Sequence, residues 1–384
     1  MISISNSNVI GGLPANLSGG AAPNPDFVST WDTTKAGSAS DTIVLPLLSG
    51  GTYSGTIDWG DDTTSVLSYA NRTHTYASSG TKTITISGDI GDFSFEGAGD
   101  TAKIIEVSNW GTLNINTRWG FRNAVNLVIT ATDAPTLTTT NANLMFFNCD
   151  ALVDPDFSAW DVSSITNFSS MFTGCALFNT DSMANWDTSS GTNFSSMFSS
   201  CPRFNGDVSG FNFSSTTSLF SMFNGTTDFN QDISMWDVSG ISNFGSLFRS
   251  CSRFNQPIGS WDMSSATRID DMFNGATDFN QPLLWNTSLV TNMLGALRSM
   301  SAFDQNISTW DINQVSSFSL FMFGTTLSTI NYDALLIAWD AQGAMSYSGT
   351  VNFGGSQYTS GGAAEAARTS LIAKWGGIID GGAA

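Results

Sequence analysis

Met222-Phe-Asn-Gly-Thr-Thr-Asp-Phe-Asn-Gln-Asp-Ile-Ser-Met-Trp-Asp-Val-Ser239 is one full copy of a unit that recurs along much of this chain. Phenylalanine or a substitute returns at Phe147, Phe172, Phe198, Phe223, Phe248, Phe273, Leu297 and Phe323, in steps of 24 to 26 residues. A second series runs Trp160, Trp186, Phe211, Trp236, Trp261, Trp285 and Trp310, each followed by Asp or Asn. A third pairs Phe178, Phe204, Phe229, Phe254 and Phe279 with Asn179, Asn205, Asn230, Asn255 and Asn280. Several apolar positions locked to one period mean stacked coils, each burying its aromatic rings against its neighbours. Ile233 to Val238 alternates like a brief parallel strand, and Asn193 to Phe198 spaces its apolar residues like one helical turn.

Outward from the array (144–323), residues 92–143 keep scattered apolar words such as Phe93, Phe95, Val107 and Trp110 and are expected to be degenerate coils. Residues 324–384 leave the register. Asn331 to Trp339 and Ala363 to Trp375 predict helices, with a short strand at Val351-Asn352-Phe353, as a cap for an open stack needs. In front, residues 25–91 carry period-two runs, Thr52 to Trp59 and Thr81 to Ser87, broken by Gly60-Asp61-Asp62 and Gly80. Such runs argue for antiparallel strands in a small sandwich. Residues 1–24, with Gly11, Gly12, Gly19 and Gly20, read as a flexible or anchoring arm.

Two resemblances follow from these words. Asp58-Trp59-Gly60-Asp61-Asp62-Thr63, with His74-Thr75-Tyr76 and Gly80-Thr81, resembles the PKD-like immunoglobulin domain, although Asp62 stands where that family has Gly. Trp160-Asp161-Val162-Ser163, Ile165-Thr166-Asn167-Phe168 and Met171-Phe172 are similar to the leucine-rich-repeat-like repeats of BspA-like and mycoplasma-type surface proteins. The first resemblance implies a spacer or adhesive module. The second implies a cell-surface, host-contact or virion-surface protein, with no catalytic residues to carry over.

The composition narrows the chemistry. The chain has 384 residues, with 32 acidic against 13 basic side chains and a formal net charge of −19. Without a Lys/Arg cluster, nucleic acid is excluded as an expected partner. No apolar run approaches the length of a membrane span, so no membrane insertion is expected. A basic, apolar leader is missing from the first residues, so a Sec signal peptide is not expected. The one histidine, His74, sits in a strand word. No nucleophile has a base beside it, and no phosphate loop is present.

The aromatic ladders (Trp160, Trp186, Trp236, Trp261, Trp285, Trp310; Phe172, Phe198, Phe223, Phe248, Phe273) read as core, since a buried stack needs aromatics at one register. The Asn ladder reads as internal satisfaction of backbone groups at the turns. The Asp residues after Trp read as turn caps rather than metal ligands. Asp58, Asp61 and Asp62 form a turn that is also a weak calcium candidate, and no other cofactor is expected. Cys175, Cys201 and Cys251 share a slot with Thr226 and Ala276 and read as small free-thiol filler.

The expectation is therefore a mainly β chain. An Ig/PKD-like sandwich precedes a leucine-rich-repeat-like right-handed solenoid with a C-terminal α/β cap. The expected function is non-enzymatic display or attachment at a virion surface, among other virion proteins or in a homo-oligomer, with host-surface glycan or protein as ligand. The alternatives are a secreted bacterial BspA-like adhesin, extracellular or on the cell surface, and a polysaccharide-degrading spike.

Overall fold

The computed structural model describes residues 26–384, except 97, 98, 117, 344 and 345. The expected arm at 1–24 lies outside the described residues. The front strands are β1 (Phe27–Asp32), β2 (Thr42–Val44), β3 (Tyr53–Asp58), β4 (Thr64–Val66), β5 (Thr73–Thr75) and β6 (Thr81–Ile90). After them come β7 (Ile104–Asn109), β8 (Asn114–Ile115), β9 (Val128–Ile129) and β10 (Thr136–Leu137). Past the repeats lie α1 (Thr329–Asp340), β11 (Gly349–Asn352), α2 (Ala363–Trp375) and β12 (Gly376–Ile379).

The expected sandwich and leucine-rich-repeat-like solenoid must be corrected. The described residues are only 18% strand and 8% helix, and among them no sheet closes or curls. In front, one six-stranded sheet has the order β4-β3-β6-β1-β7-β9, and beside it stands only the pair β2-β5. The period-two runs do form strands: β1 alternates buried and half-buried residues, with Phe27 and Trp31 facing inward. What the local pattern could not fix is the partner. β1 pairs antiparallel with β6 on one side and with β7 on the other, so a single sheet continues past residue 91.

Between β10 and α1 the described residues hold isolated bridges and turns but no strand. The cause is visible in the backbone. Ile233 to Val238 cannot extend, because Trp236 N–H closes back on Ile233 O and Ile241 N–H on Val238 O. Opposite, each coil places two residues, four apart, in the left-handed region. The pairs are Trp119/Asn123, Leu144/Asn148, Ser170/Gly174, Ser196/Ser200, Ser221/Gly225, Ser246/Ser250, Asp271/Gly275, Gly295/Ser299 and Leu320/Gly324. Their φ values lie between 51° and 83°. Gly, Asn and Asp tolerate this region; Trp119, Leu144 and Leu320 occupy it against their intrinsic preference.

These residues set alternate amides across the stack. Leu144, Phe146 and Asn148 donate to the carbonyls of Ser169, Met171 and Thr173 in the next coil, at 3.2, 2.9 and 2.8 Å. The amides between them, Met145, Phe147 and Cys149, close i→i−3 turns. A ladder of turns thus satisfies the backbone that a strand would otherwise have satisfied.

The ladder also corrects the register at both ends. Phe146, not Phe147, stacks on Phe172 (centroids 5.6 Å, 4° between planes), and Phe121 stacks on Phe146 in turn. At the far end Leu297 donates to Phe321 O, so Met322 takes the slot and Phe323 is left 46% exposed. Beyond it, α1 and α2 pack together, and β11 pairs in parallel with β12. The carboxylate of Asp380 accepts from Tyr332 and both forks of Arg368 and so ties the two helices together.

Candidate binding face

The structure places the predicted ladder residues in two environments. Trp160, Trp186, Trp236, Trp261, Trp285 and Trp310 are buried, as are Phe172, Phe198, Phe223, Phe248 and Phe273. From Trp186 onward each indole N–H donates to a carbonyl of the preceding coil: Trp186 to Phe157 at 3.1 Å, Trp236 to Val208 at 3.0 Å, Trp261 to Ile233 at 3.2 Å. Trp285 and Trp310 follow the rule at 3.0 Å each. The rings therefore offer no platform to a ligand.

The asparagines differ from the expectation of an internal ladder. Asn179, Asn230 and Asn280 are exposed, and Asn205 and Asn255 half-buried, so the series runs along an outer edge. The mechanism is nonetheless one of amide satisfaction. Asn179 Oδ1 accepts from Asn205 N–H at 2.8 Å, Asn205 from Asn230 at 2.7 Å, Asn230 from Asn255 at 2.9 Å and Asn255 from Asn280 at 3.0 Å. Gln231, Gln256, Gln281 and Gln305 brace the same edge through Nε2. Asp304 continues it by accepting from Ser328 N–H and Asn331 Nδ2 at the start of α1.

The acidic residues are engaged locally. Asp161 Oδ1 takes the Ser163 hydroxyl at 2.6 Å and its N–H at 3.1 Å, and Asp237 does the same with Ser239. Those bonds, hydroxyl first, hold both carboxyls below the usual carboxylate range. In the front module Asp58 accepts from Gly60 N–H, and Asp61 accepts from Thr63 N–H and its hydroxyl. Asp61 also meets His74 Nε2 at 2.8 Å, while the imidazole stacks on Trp59 at 4.8 Å. Asp62 sits at φ 67 in the same turn. Among the described residues no three His, Cys, Asp or Glu side chains gather as a metal site would.

The cysteine slot carries more than filler. Cys149, Cys175, Cys201 and Cys251 are buried free thiols. Each donates to the carbonyl of the register Phe one coil back: Cys175 to Phe146 O, Cys201 to Phe172 O, Cys251 to Phe223 O. Thr226 and Thr325 use hydroxyls for the same bond, to Phe198 O at 2.7 Å and Leu297 O at 2.6 Å. The Cys/Thr alternation is the sequence signal for this donor. Reading Phe147 as the register residue put Cys149 out of line with it.

On the repeats, the surface available to a ligand lies along the Asn edge. Its coils leave two open grooves. One, about 420 Å³, is bordered by Val153, Leu177, Asn179, Asp181, Arg203 and Asp228. The other, about 330 Å³, is bordered by Asp207, Ser209, Gln231, Asp232 and Met235. Met235 is 88% exposed. Amide and carboxylate groups beside exposed apolar side chains can hydrogen-bond hydroxyls while covering C–H surface. Sequence reasoning missed these grooves, because their residues vary from coil to coil and only the stacking brings them together.

The family described as "Mycoplasma protein of unknown function, DUF285" matches residues 140–258 and again 243–352, together more than half of the chain. The chain belongs to the DUF285 family. The DUF285 matches cover the coils that carry the Asn edge and both grooves and run on through α1 into β11. They begin after the front sheet. No curated protein and no solved structure is similar enough to count as a match. No helix among the described residues is long and apolar enough to cross a membrane.

Proposed function

We propose that this chain is a non-catalytic binding module of a bacterial surface, a BspA-like adhesin in its mode of action, which holds its partner along the Asn edge. The observation that carries this reading is the pair of grooves along the Asn edge, each combining amides and carboxylates with an exposed apolar side chain. Repeated weak contacts of that kind gain strength by avidity when the partner is itself repetitive, as a neutral polysaccharide is. The bacterial description of the family favours a cell-surface setting over the virion setting expected from the sequence. Engagement of the acids in turns and of His74 with Asp61 supports a binding role over hydrolysis.

The test is retention of chain-coated beads on immobilised neutral host-surface polysaccharide, with reducing ends followed in parallel. Leu177→Lys and Met235→Lys, both at exposed positions, should lower retention severalfold with the melting temperature unchanged. Retention indifferent to both substitutions, or sustained reducing-end release with multiple turnovers, would overturn the reading.

A further inference from the structure

The front module holds a cavity of about 260 Å³ that the repeat face does not share. Leu45, Leu47 and Phe95 back it with side chains that are themselves buried, and Tyr69, Arg72 and Glu96 are among the polar residues that line it. Local structure explains how the polar side was built. Tyr69–Asn71 is a 3₁₀ turn capped by the Ser68 hydroxyl, which accepts from Asn71 N–H at 3.2 Å. In such a turn side chains three apart lie over one another. The Arg72 guanidinium accordingly sits 3.7 Å from the centre of the Tyr69 ring. The Arg72 backbone is fixed as well, because its carbonyl accepts from Leu45 N–H at 2.8 Å.

Apart from its stacking on Tyr69, the guanidinium has no hydrogen-bonding partner within the described residues. Among the described residues Arg72 makes no ion pair and no side-chain hydrogen bond, in a chain where acids outnumber bases 32 to 13. The nearby carboxylate of Asp100 is already engaged: Ser38 N–H, the Ser38 hydroxyl and Val44 N–H all donate to it. Glu96, at the rim, is held at φ 50 and brings a carboxylate of its own, so an anion is favoured only at the Arg72 end of the cavity. A guanidinium stacked on Tyr69, free of hydrogen bonds and on a residue that lines the cavity, can grip a planar anion through two parallel N–H···O bonds.

We infer that this cavity is a binding site for a single carboxylate carried on a body no larger than a monosaccharide, with Arg72 as its anchor. Two sources share that chemistry: a uronic-acid sugar and an acidic side chain of a protein. Long polyanions do not, since the net charge of −19 repels them.

The experiment titrates the full chain with methyl β-D-glucuronide, methyl β-D-glucoside and N-acetylglutamate N-methylamide, followed by ligand-observed NMR. One or both carboxylates should bind, and the uncharged glucoside should not. Binding should weaken roughly ten- to hundredfold in Arg72→Gln. The carboxylate that binds identifies the source, and binding of both means that the site reads the carboxylate alone. Because the Arg72 side chain makes no hydrogen bond or ion pair and stacks only on the exposed Tyr69 ring, Arg72→Gln should melt close to the parent chain. Absence of binding by either carboxylate, equal binding of glucuronide and glucoside, or an unchanged affinity in Arg72→Gln overturns the proposal. Leu177→Lys should leave this binding intact, which separates the site from the repeat face.

Discussion

Replacing Lys103 by Met should loosen the front module more than any other single change to a charged residue. Lys103 is fully buried, and its ammonium donates to four oxygens: Ser38 O at 3.0 Å, the Ser38 hydroxyl at 2.9 Å, Ala39 O at 2.8 Å and Thr42 O at 2.7 Å. Asp100 lies 3.8 Å away and is 1% exposed. Methionine has a similar length but supplies no donor. It would leave a buried carboxylate without its counter-charge and the Ser38 carbonyl without its donor, while Ala39 O would keep only Thr42 N–H and Thr42 O the Ser38 hydroxyl. Removing one member of a buried pair costs about 3–5 kcal/mol. At 1.4 kcal/mol per decade, that is roughly two to four orders of magnitude in the opening equilibrium. The backbone of Lys103 also accepts from Asp32 N–H at 2.7 Å, so the loss should reach the edge where β1 meets β7. Hydrogen exchange read on peptides spanning 27–32 and 104–109 is the direct assay, because protection there tracks the free energy of opening. Exchange no faster than in the exposed control Lys35→Met would refute the reasoning.

Trp236→Ala removes a ring packed 4.7 Å from Phe213 and 6.2 Å from Trp261 and should cost about 3–5 kcal/mol in urea unfolding; a change no larger than that of a surface Ser→Ala control would dismiss the core role. Thr226→Val keeps the shape but removes the donor to Phe198 O, at about 1–3 kcal/mol, whereas Thr226→Cys should lose less; equal losses would mean that the slot is filler after all. The four cysteines should all titrate as free thiols once the chain is unfolded without reductant. In the folded chain, burial raises the Cys175, Cys201 and Cys251 thiols, so they should not react at neutral pH. Asp156, Asp161, Asp237 and Asp262 have carboxyls lowered by their serine partners, so their contribution is present above the unfolded value near 3.8 and fades as pH falls through the lower folded values. Ser163→Ala should move the Asp161 titration upward in carboxyl NMR, and no movement would refute that cause.

The sequence made the period legible and left the backbone illegible. Aromatic spacing located the coils because buried rings must meet at every step, as Phe172 and Phe198 do at 5.7 Å. Secondary structure did not follow from it. Ile233 to Val238 alternates like a strand, but its conformation is decided by short turns and by the Asp237–Ser239 bond, which apolar pattern does not encode. The left-handed pairs had a faint signature, Ser170 with Gly174 or Ser221 with Gly225, but Leu144 and Leu320 in the same places conceal it. Of the candidate sites, the Asn edge was visible as a column of identical residues, though the pattern could not say that it faces outward. The Arg72 cavity had no signal at all, because its walls come from three separated stretches of chain.

The turn ladder has a sense of direction. Along the edge through Leu144, Phe146 and Asn148, every rung runs from an amide in one coil to a carbonyl in the next. Along the edge through Thr140, Thr166 and Thr192 the rungs run the other way, the amides of Thr166 and Thr192 reaching back to Thr140 O and Thr166 O. Each layer therefore shows its successor a row of donors on one edge and a row of acceptors on the other. A layer turned upside down with its edges in place would set donor against donor on one edge and acceptor against acceptor on the other. The stack is in this respect a keyed column, and whatever adds to it, whether another coil or an end cap, can sit on it in one orientation only.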